Sequence, residues 1–352
     1  MTTGASTAKT DKYLRIATEE AFAPAEMIRM YRDTVARNPP EEPGFMCLWG
    51  YFLQSTNDYP VNVVERLQDL GERRLHDMDS SGIDVQVIFL TAPGVQIFDT
   101  ATAVALAGSA NDQLAEACRR HPERFVGLAA IAPQAPDAAA KEMERGVKSL
   151  GFRGAVINSH TRGEYLDDRK FWPIFEAAEA LDVPIYIHPR TPSPKMLEPM
   201  KEAGVESAMF GFGVETGLHL LRIITAGVFD QFPKLRIVVG HLGEALPFWL
   251  YRIDHMHGAA VRSGRHPRLQ ALQMKPGDYM KRNVFITTSG MAWEPAIRFV
   301  QDVIGMDRVL YAMDYPYQFV PAEVVATDNI AISDADKKKL FQTNAETVFA
   351  LR

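Results

Sequence analysis

The feature that most constrains this chain is a strict alternation of two hydrophobic periods along nearly its whole length. Short apolar runs rich in β-branched residues read as strands at 13–18, 83–90, 125–131, 152–158, 184–188, 235–241, 284–289 and 309–314. Each is followed by a segment of helical spacing. The first holds Val64, Leu67, Leu70, Leu75 and Met78; later ones span 101–120, 171–181, 215–228, 245–257, 295–304 and 334–351, and one carries Met143 and Val147. Alternation on this scale predicts parallel strands joined by crossover helices. The count of eight selects an α/β fold of the closed (β/α)8 TIM barrel type. An open doubly wound sheet is the alternative, weakened because no strand runs into a GxGxxG or GxxxxGK[ST] loop. Two long excursions interrupt the pattern, about 23–62 after strand one and 189–213 after strand five. The first contains the breaker cluster Asn38-Pro-Pro-Glu-Glu-Pro-Gly44. Insertions of this length in a compact fold typically serve as lids. Residues 13–352 therefore read as one barrel domain, preceded by a small, polar, disordered tail at 1–12.

Composition narrows the function classes. A net charge of −6 argues against nucleic acid or a membrane surface as partner. No apolar run approaches the roughly 18 residues of a spanning helix. The first dozen residues lack the apolar core of a signal peptide, so the cytoplasm is the expected compartment. The two cysteines, Cys47 and Cys118, have no CxxC partner and read as reduced thiols in the packing.

In such a barrel the chemistry sits at the C-terminal strand ends. Four ends here carry capable side chains: Glu19 and Glu20, His188, His241 with Glu244, and Asp314, which closes Val309-Leu-Tyr-Ala-Met-Asp-Tyr-Pro316. Left unpaired, so many buried polar groups would be costly. The ligand set inferred is Glu19, His188 and Asp314. One imidazole and two carboxylates suit one divalent ion of octahedral habit, Mn2+ first and Zn2+ as the alternative. Ala21 stands where metal hydrolases of this fold place a second strand-one histidine, and it cannot bind metal. His241, in Gly240-His-Leu-Gly-Glu244, has an acid three residues on that can orient it and keep it basic, or that can serve as a helix N-terminal charge.

Beyond these residues, a resemblance becomes specific. Thr18-Glu-Glu-Ala-Phe22, Ile187-His-Pro189, Gly211-Phe-Gly-Val-Glu-Thr216, Gly240-His-Leu-Gly-Glu-Ala-Leu-Pro247, Tyr311-Ala-Met-Asp-Tyr-Pro316 and Thr343-Asn-Ala-Glu together resemble the amidohydrolase-2 branch of the amidohydrolase superfamily. Within it, the sequence is most similar to the non-oxidative decarboxylases of ortho-hydroxylated aromatic acids, above all the 5-carboxyvanillate group, with the γ-resorcylate group more distant. The resemblance implies a carbon–carbon lyase acting on a small aromatic carboxylate. It implies Glu19, His188 and Asp314 as metal ligands, His241 just outside them, and Asp314 as proton donor to the ring carbon that loses CO2. Arg252 matches a substrate-contacting arginine that reaches a neighbouring subunit's site, which implies a homodimer or homotetramer.

Other candidates follow from position. Asn158 ends strand four, Tyr317 lies close to Asp314, Phe212 sits in the Gly-Phe-Gly turn, and Trp49 lies in the first insertion; each is a candidate substrate contact. The equally plain reading of Trp49 is packing within a lid. The first insertion has no Lys or Arg between Arg37 and Arg66, so Arg162, Arg190 or Lys195 would have to serve a second substrate carboxylate. A hydrolase or lactonase on the same site is the competing reaction class.

Overall fold

In the computed structural model of the chain, which describes residues 12–351, parallel ladders run from β1 (Ile16–Phe22) through β2 (Val85–Leu90) and β3 (Phe125–Gly127). They continue through β4 (Ala129–Ala130), β5 (Ala155–Asn158), β6 (Ile185–His188), β7 (Ile237–Val239), β8 (Val284–Thr287) and β9 (Val309–Leu310). β3 and β4 are two halves of one barrel strand: the N–H of Leu128, between them, donates to the Ile88 carbonyl at 2.9 Å. The ring closes where β1 meets the chain beyond β9. Glu20 pairs in parallel with Tyr315, and the N–H groups of Thr18 and Ala21 donate to the carbonyls of Tyr311 and Tyr315 at 3.1 and 2.7 Å. The eight-stranded barrel is thus as expected. The tail expected at 1–12 falls on residues outside the described ones, except that Lys12 pairs with Asp334 at 2.7 Å.

Alternation along each strand builds two cores. Ile16, Val87, Phe89, Leu128, Val156, Tyr186, Val238, Phe285 and Leu310 point inward and fill the barrel. Ala345, Val348 and Phe349 join them from the final helix. The opposite faces pack against the helices in a larger layer that includes Ile88, Ile157, Ile187 and Ile286. Both faces are apolar because both are covered, so the strands read as continuous hydrophobic runs rather than alternating ones.

The structure revises several boundaries. The first insertion is largely helical, with Ala25–Arg37, Pro43–Phe45, a π-turn at Met46–Gly50 and Tyr51–Gln54. The helix expected around 64–78 is two, Asp58–Gln68 and Glu72–Ser81; Asp69 breaks it by taking the N–H groups of Gly71 and Arg74. The second insertion holds the helix Pro194–Glu202. The strand containing Asp314 leaves its ladder at Leu310, four residues early, so Asp314 stands on an arch rather than at a ladder end. No helix among the described residues is long and apolar enough to cross a membrane.

Candidate active site

Glu19 is the fixed point of the barrel mouth. Its Oε2 accepts hydrogen bonds from the Tyr186 hydroxyl and, at 2.9 Å, from the Thr287 hydroxyl, so strands β6 and β8 hold one side of the carboxylate. Gly240 closes over it: a Cβ there would lie 2.5 Å from Oε2, so only glycine fits. The other oxygen, Oε1, is buried with no hydrogen-bond partner among the described residues. An acceptor left in this state costs a few kcal/mol unless something else satisfies it.

Two imidazoles face that orphan oxygen. His188 Nε2 lies 3.5 Å from it and His241 Nε2 3.7 Å. Glu19, His241 and Asp314 each bring one ligand-type atom to within 4.8 Å of the others. Two atoms each about 2.1 Å from a divalent cation stand roughly 3–4 Å apart, so the arrangement fits such an ion. The donor set, two carboxylates and one or two imidazoles, matches a hard cation.

The backbone at the mouth is strained. After β7, His241, Leu242, Gly243, Glu244 and Ala245 all have positive φ, between 49° and 78°. The expected helix start at 245 is instead this left-handed arc, and the helix begins at Leu246. Each non-glycine residue there costs roughly 1–2 kcal/mol. The arc turns His241 back over the barrel and lets its Nδ1 meet Glu244 Oε1 at 2.9 Å. Glu244 is therefore a partner of the histidine rather than a helix cap. Asp314 also has positive φ, 68°. Gly290, at φ 61°, leaves room beside both: a Cβ there would lie 3.4 Å from His241 Cδ2 and 3.7 Å from Asp314 Oδ2.

Electrostatics sort these groups by proton state. Burial lowers the His188 pKa to about 4, only partly opposed by Glu19, so the ring is neutral at pH 7. Burial would also lower His241, but Glu244, Glu19 and the Glu244 hydrogen bond outweigh it and hold the ring up at about 10. Burial pushes the Asp314 carboxyl up to about 8; His241 opposes the rise, while Glu19, Glu244 and Glu323 add to it. Asp314 is thus a carboxyl group able to carry a proton near neutral pH.

The remaining candidates divide. Asn158 lies beside His188 in the β5–β6 ladder, and its Oδ1 is buried with no hydrogen-bond partner among the described residues. Tyr317 hydrogen-bonds Thr91 at 2.6 Å and meets the Phe52 ring edge-on at 5.5 Å. Tyr59, which sequence reasoning did not single out, donates from its hydroxyl to the Tyr317 carbonyl at 3.0 Å and feels the Asp314 charge. Phe212 is half-buried beside Gly213, which approaches Glu244. Arg252 is exposed on the helix Leu246–Arg262, with no ion pair among the described residues; Asp254 instead accepts the Gly277 N–H at 2.7 Å.

Two expectations are corrected. Trp49 is fully buried, with its indole N–H donated to the Ala92 carbonyl at 2.9 Å and its ring 4.6 Å from that of Tyr31. It packs the first insertion onto the barrel and leaves no exposed surface for a substrate to touch. Arg190 is buried and paired with Glu42 at 2.6 Å, so it is not a spare cation for a substrate.

Comparison with known proteins identifies the family. Residues 51–351 match the family Amidohydro_2, described as Amidohydrolase. The chain is 38% identical over 302 residues to a γ-resorcylate decarboxylase of Polaromonas sp. (strain JS666), covering 84% of this chain and 91% of that one. It superposes with a TM-score of 0.96 on a 5-carboxyvanillate decarboxylase from Novosphingobium aromaticivorans DSM 12444, complexed with manganese and 4-hydroxy-3-methoxy-5-nitrobenzoic acid. That pair shares 52% identity over 99% of this chain and all of the other. A dihydroxybenzoic acid decarboxylase from Polaromonas sp. JS666, with bound manganese and 2-nitroresorcinol, gives a TM-score of 0.82 at 35% identity, covering 96% and 97% of the two chains. With its barrel matched end to end at these identities, the chain belongs to the amidohydrolase family Amidohydro_2.

Proposed function

We propose that this protein is a metal-dependent, non-oxidative decarboxylase of an ortho-hydroxylated aromatic carboxylic acid, 5-carboxyvanillate being one such acid. The observation that carries the reading is the placement of Asp314: its carboxyl group lies within 4.8 Å of Glu19 and His241 at the barrel mouth. Loss of CO2 from an aromatic ring requires a proton at the carbon that bears the carboxylate. Asp314 supplies it, the ring carbon becomes tetrahedral, and the carbon–carbon bond then breaks with its electrons returning to the ring. CO2 leaves, the phenol keeps the proton, and Asp314 is left as a carboxylate. His241, held protonated by Glu244, stands beside it as the proton store.

One Mn2+ fits the residues present, with Zn2+ as the alternative. When bound, such an ion would supply Lewis acidity and balance the negative charge of an anionic phenolic acid. Glu19, Asp314 and His188 are its ligands in this reading. His188 turns its Nε2 to the orphan oxygen of Glu19, whereas His241 keeps its Nδ1 on Glu244. Asn158 and Tyr317 line the ring's position.

The assembly is a homo-oligomer, dimer or tetramer. Around Arg252 the chain exposes Phe248 (72%), Tyr251 (85%) and Trp293 (64%), a large apolar area for a lone subunit. A second copy covering this face would bring Arg252 to a neighbouring mouth, where it pairs with a substrate carboxylate.

The test is turnover of ortho-hydroxybenzoates by manganese-loaded protein in D2O. Release of CO2 with one deuterium at the vacated ring carbon is expected; hydrolysis of esters or lactones alone would sink the reading. Mixing Asp314→Asn subunits with Arg252→Met subunits should restore activity if Arg252 works across the interface, and should not if it works within its own chain.

A further inference from the structure

Residue Glu20 is fully buried beside Glu19, yet the chemistry above does not use it. The two side chains leave β1 on opposite faces. Glu19 points into the barrel toward Tyr186 and Thr287, whereas Glu20 points into the layer between barrel and helices. There its Oε1 accepts the N–H of Met313 at 3.1 Å and its Oε2 the N–H of Tyr315 at 3.3 Å. These are the residues on either side of Asp314.

The ladder explains why a side chain is needed. β9 ends at Leu310, so no neighbouring strand takes the N–H groups of the arch that follows. The arch is pinned at its feet by β1, through the carbonyls of Tyr311 and Tyr315. Between them Ala312 is held by Thr288, its N–H 3.1 Å from the hydroxyl. At the top Asp314 adopts φ 68°, in the left-handed region that aspartate tolerates better than most residues but still at a cost. The carboxylate of Glu20 receives both flanking amides at once.

Burial pushes the Glu20 carboxyl well above the usual carboxylate range, and charge on the far side opposes that rise only in part. Arg74, also fully buried, acts on Glu20 electrostatically and donates to the Ala21 carbonyl at 2.7 Å and to Gln86 Oε1 at 3.1 Å. Gln86 in turn donates to Glu20 Oε2 at 3.4 Å. The Arg74 guanidinium lies 4.7 Å over the Tyr315 ring, and the Tyr315 hydroxyl donates to Asp77 at 3.0 Å. The fixture runs from the helix Glu72–Ser81 through Arg74 and Glu20 to the amides around Asp314.

We infer that Glu20 is a positioning residue for Asp314: by clamping the Met313 and Tyr315 amides it aims the Asp314 carboxyl at the ring carbon that is protonated. This rests on Asp314 being the proton donor. Asp314 is set by its neighbours' backbone, so a loosened clamp misdirects the proton while leaving Glu19 and the ring contacts in place. Misplacement of a reacting group by about 1 Å lowers rate by roughly 100-fold.

The test uses manganese-loaded Glu20→Gln and Glu20→Asp alongside the parent enzyme. Gln keeps the shape but turns a donor toward one of the two amides; Asp keeps the carboxyl group but draws it back. Expected in Glu20→Gln is a kcat lowered about 10–100-fold, with KM and bound manganese within about twofold of the parent and a larger solvent deuterium isotope effect on kcat. Glu20→Asp should recover part of kcat. A parent-like kcat and isotope effect in Glu20→Gln, even with a lowered melting temperature, would overturn the inference. So would a loss of activity that follows loss of manganese. If Glu20→Gln does not fold, Gln86→Leu, which removes the donor to Glu20 Oε2, is read by the same criteria. Failure of the parent to decarboxylate any ortho-hydroxybenzoate would instead defeat the function proposed above.

Discussion

Two buried charge clusters lie within this barrel, and they are built on opposite terms. In the layer behind β1, Arg74 faces Glu20, and Arg66 pairs with Asp77 at 2.8 Å; across the two insertions Arg190 pairs with Glu42. Each of these three acids has an arginine acting on it. At the mouth, Glu19, Glu244 and Asp314 gather around the imidazole of His241, and the leading charges acting on Asp314 are His241, Glu19, Glu244 and Glu323. Balanced clusters fix structure. An unbalanced one, buried and with an orphan oxygen on Glu19, is a place prepared for a cation.

The sharpest way to break this contrast is at the mouth. Asp314→Asn should abolish turnover, by at least about 1,000-fold in kcat, because both the acid and a proposed ligand are lost. Full activity in that variant, measured as CO2 release, would remove the proton-donor role. Dialysis against a chelator should likewise remove activity, and added Mn2+ should restore it and raise the melting temperature by mass action. The balanced side responds differently. Glu42→Gln leaves Arg190 buried without its counter-ion and should cost about 3 kcal/mol in unfolding free energy. KM for an active substrate should change little.

A smaller effect is expected from acid. His219 is fully buried; its Nε2 accepts the Leu166 N–H at 3.0 Å, and burial lowers its pKa to about 3. The unfolded imidazole titrates near 6.5, so between the two values the unfolded chain binds more protons. This part of the stability is complete above about pH 6.5 and falls by roughly 1.4 kcal/mol per unit as pH drops toward 3. Denaturant melts from pH 7 to 5 should show a shallower slope in His219→Gln than in the parent. Outside both clusters, Asp99 caps the helix Thr100–Arg120 by accepting the Thr102 N–H at 3.0 Å. Asp99→Ala should cost only about 1 kcal/mol, with kcat untouched.

Much of this was legible in the sequence. Eight apolar runs alternating with helical spacing dictate a barrel, and the barrel rule gathers strand ends as far apart as Glu19 and Asp314. That rule also brought His188, His241 and Glu244 into view. What stayed hidden depends on backbone or on distant pairing. The left-handed arc from His241 to Ala245 reads as a strand running into a helix, because nothing in Leu242 or Ala245 announces positive φ; only Gly240 and Gly243 hint at it. Glu42 and Arg190 are 148 residues apart, so their pairing carries no local signal. Trp49 has the look of a lid aromatic, yet its indole satisfies the Ala92 carbonyl in the core. Tyr59 gave no sign either, since its approach to Tyr317 depends on how the first insertion folds back.

The neighbouring glutamates of β1 carry one more consequence. Ile16 faces the barrel interior, and the register shift between Ala17 and Glu20 then turns Glu19 to the mouth and Glu20 to the fixture behind it, so one strand writes both halves of the site. Inserting or deleting a single residue upstream in β1 would exchange the two faces. Length changes within residues 14–22 should therefore be far less tolerated than changes at exposed positions around 39–41 in the first insertion. Among natural variants of this chain, indels should be absent from the former and common in the latter.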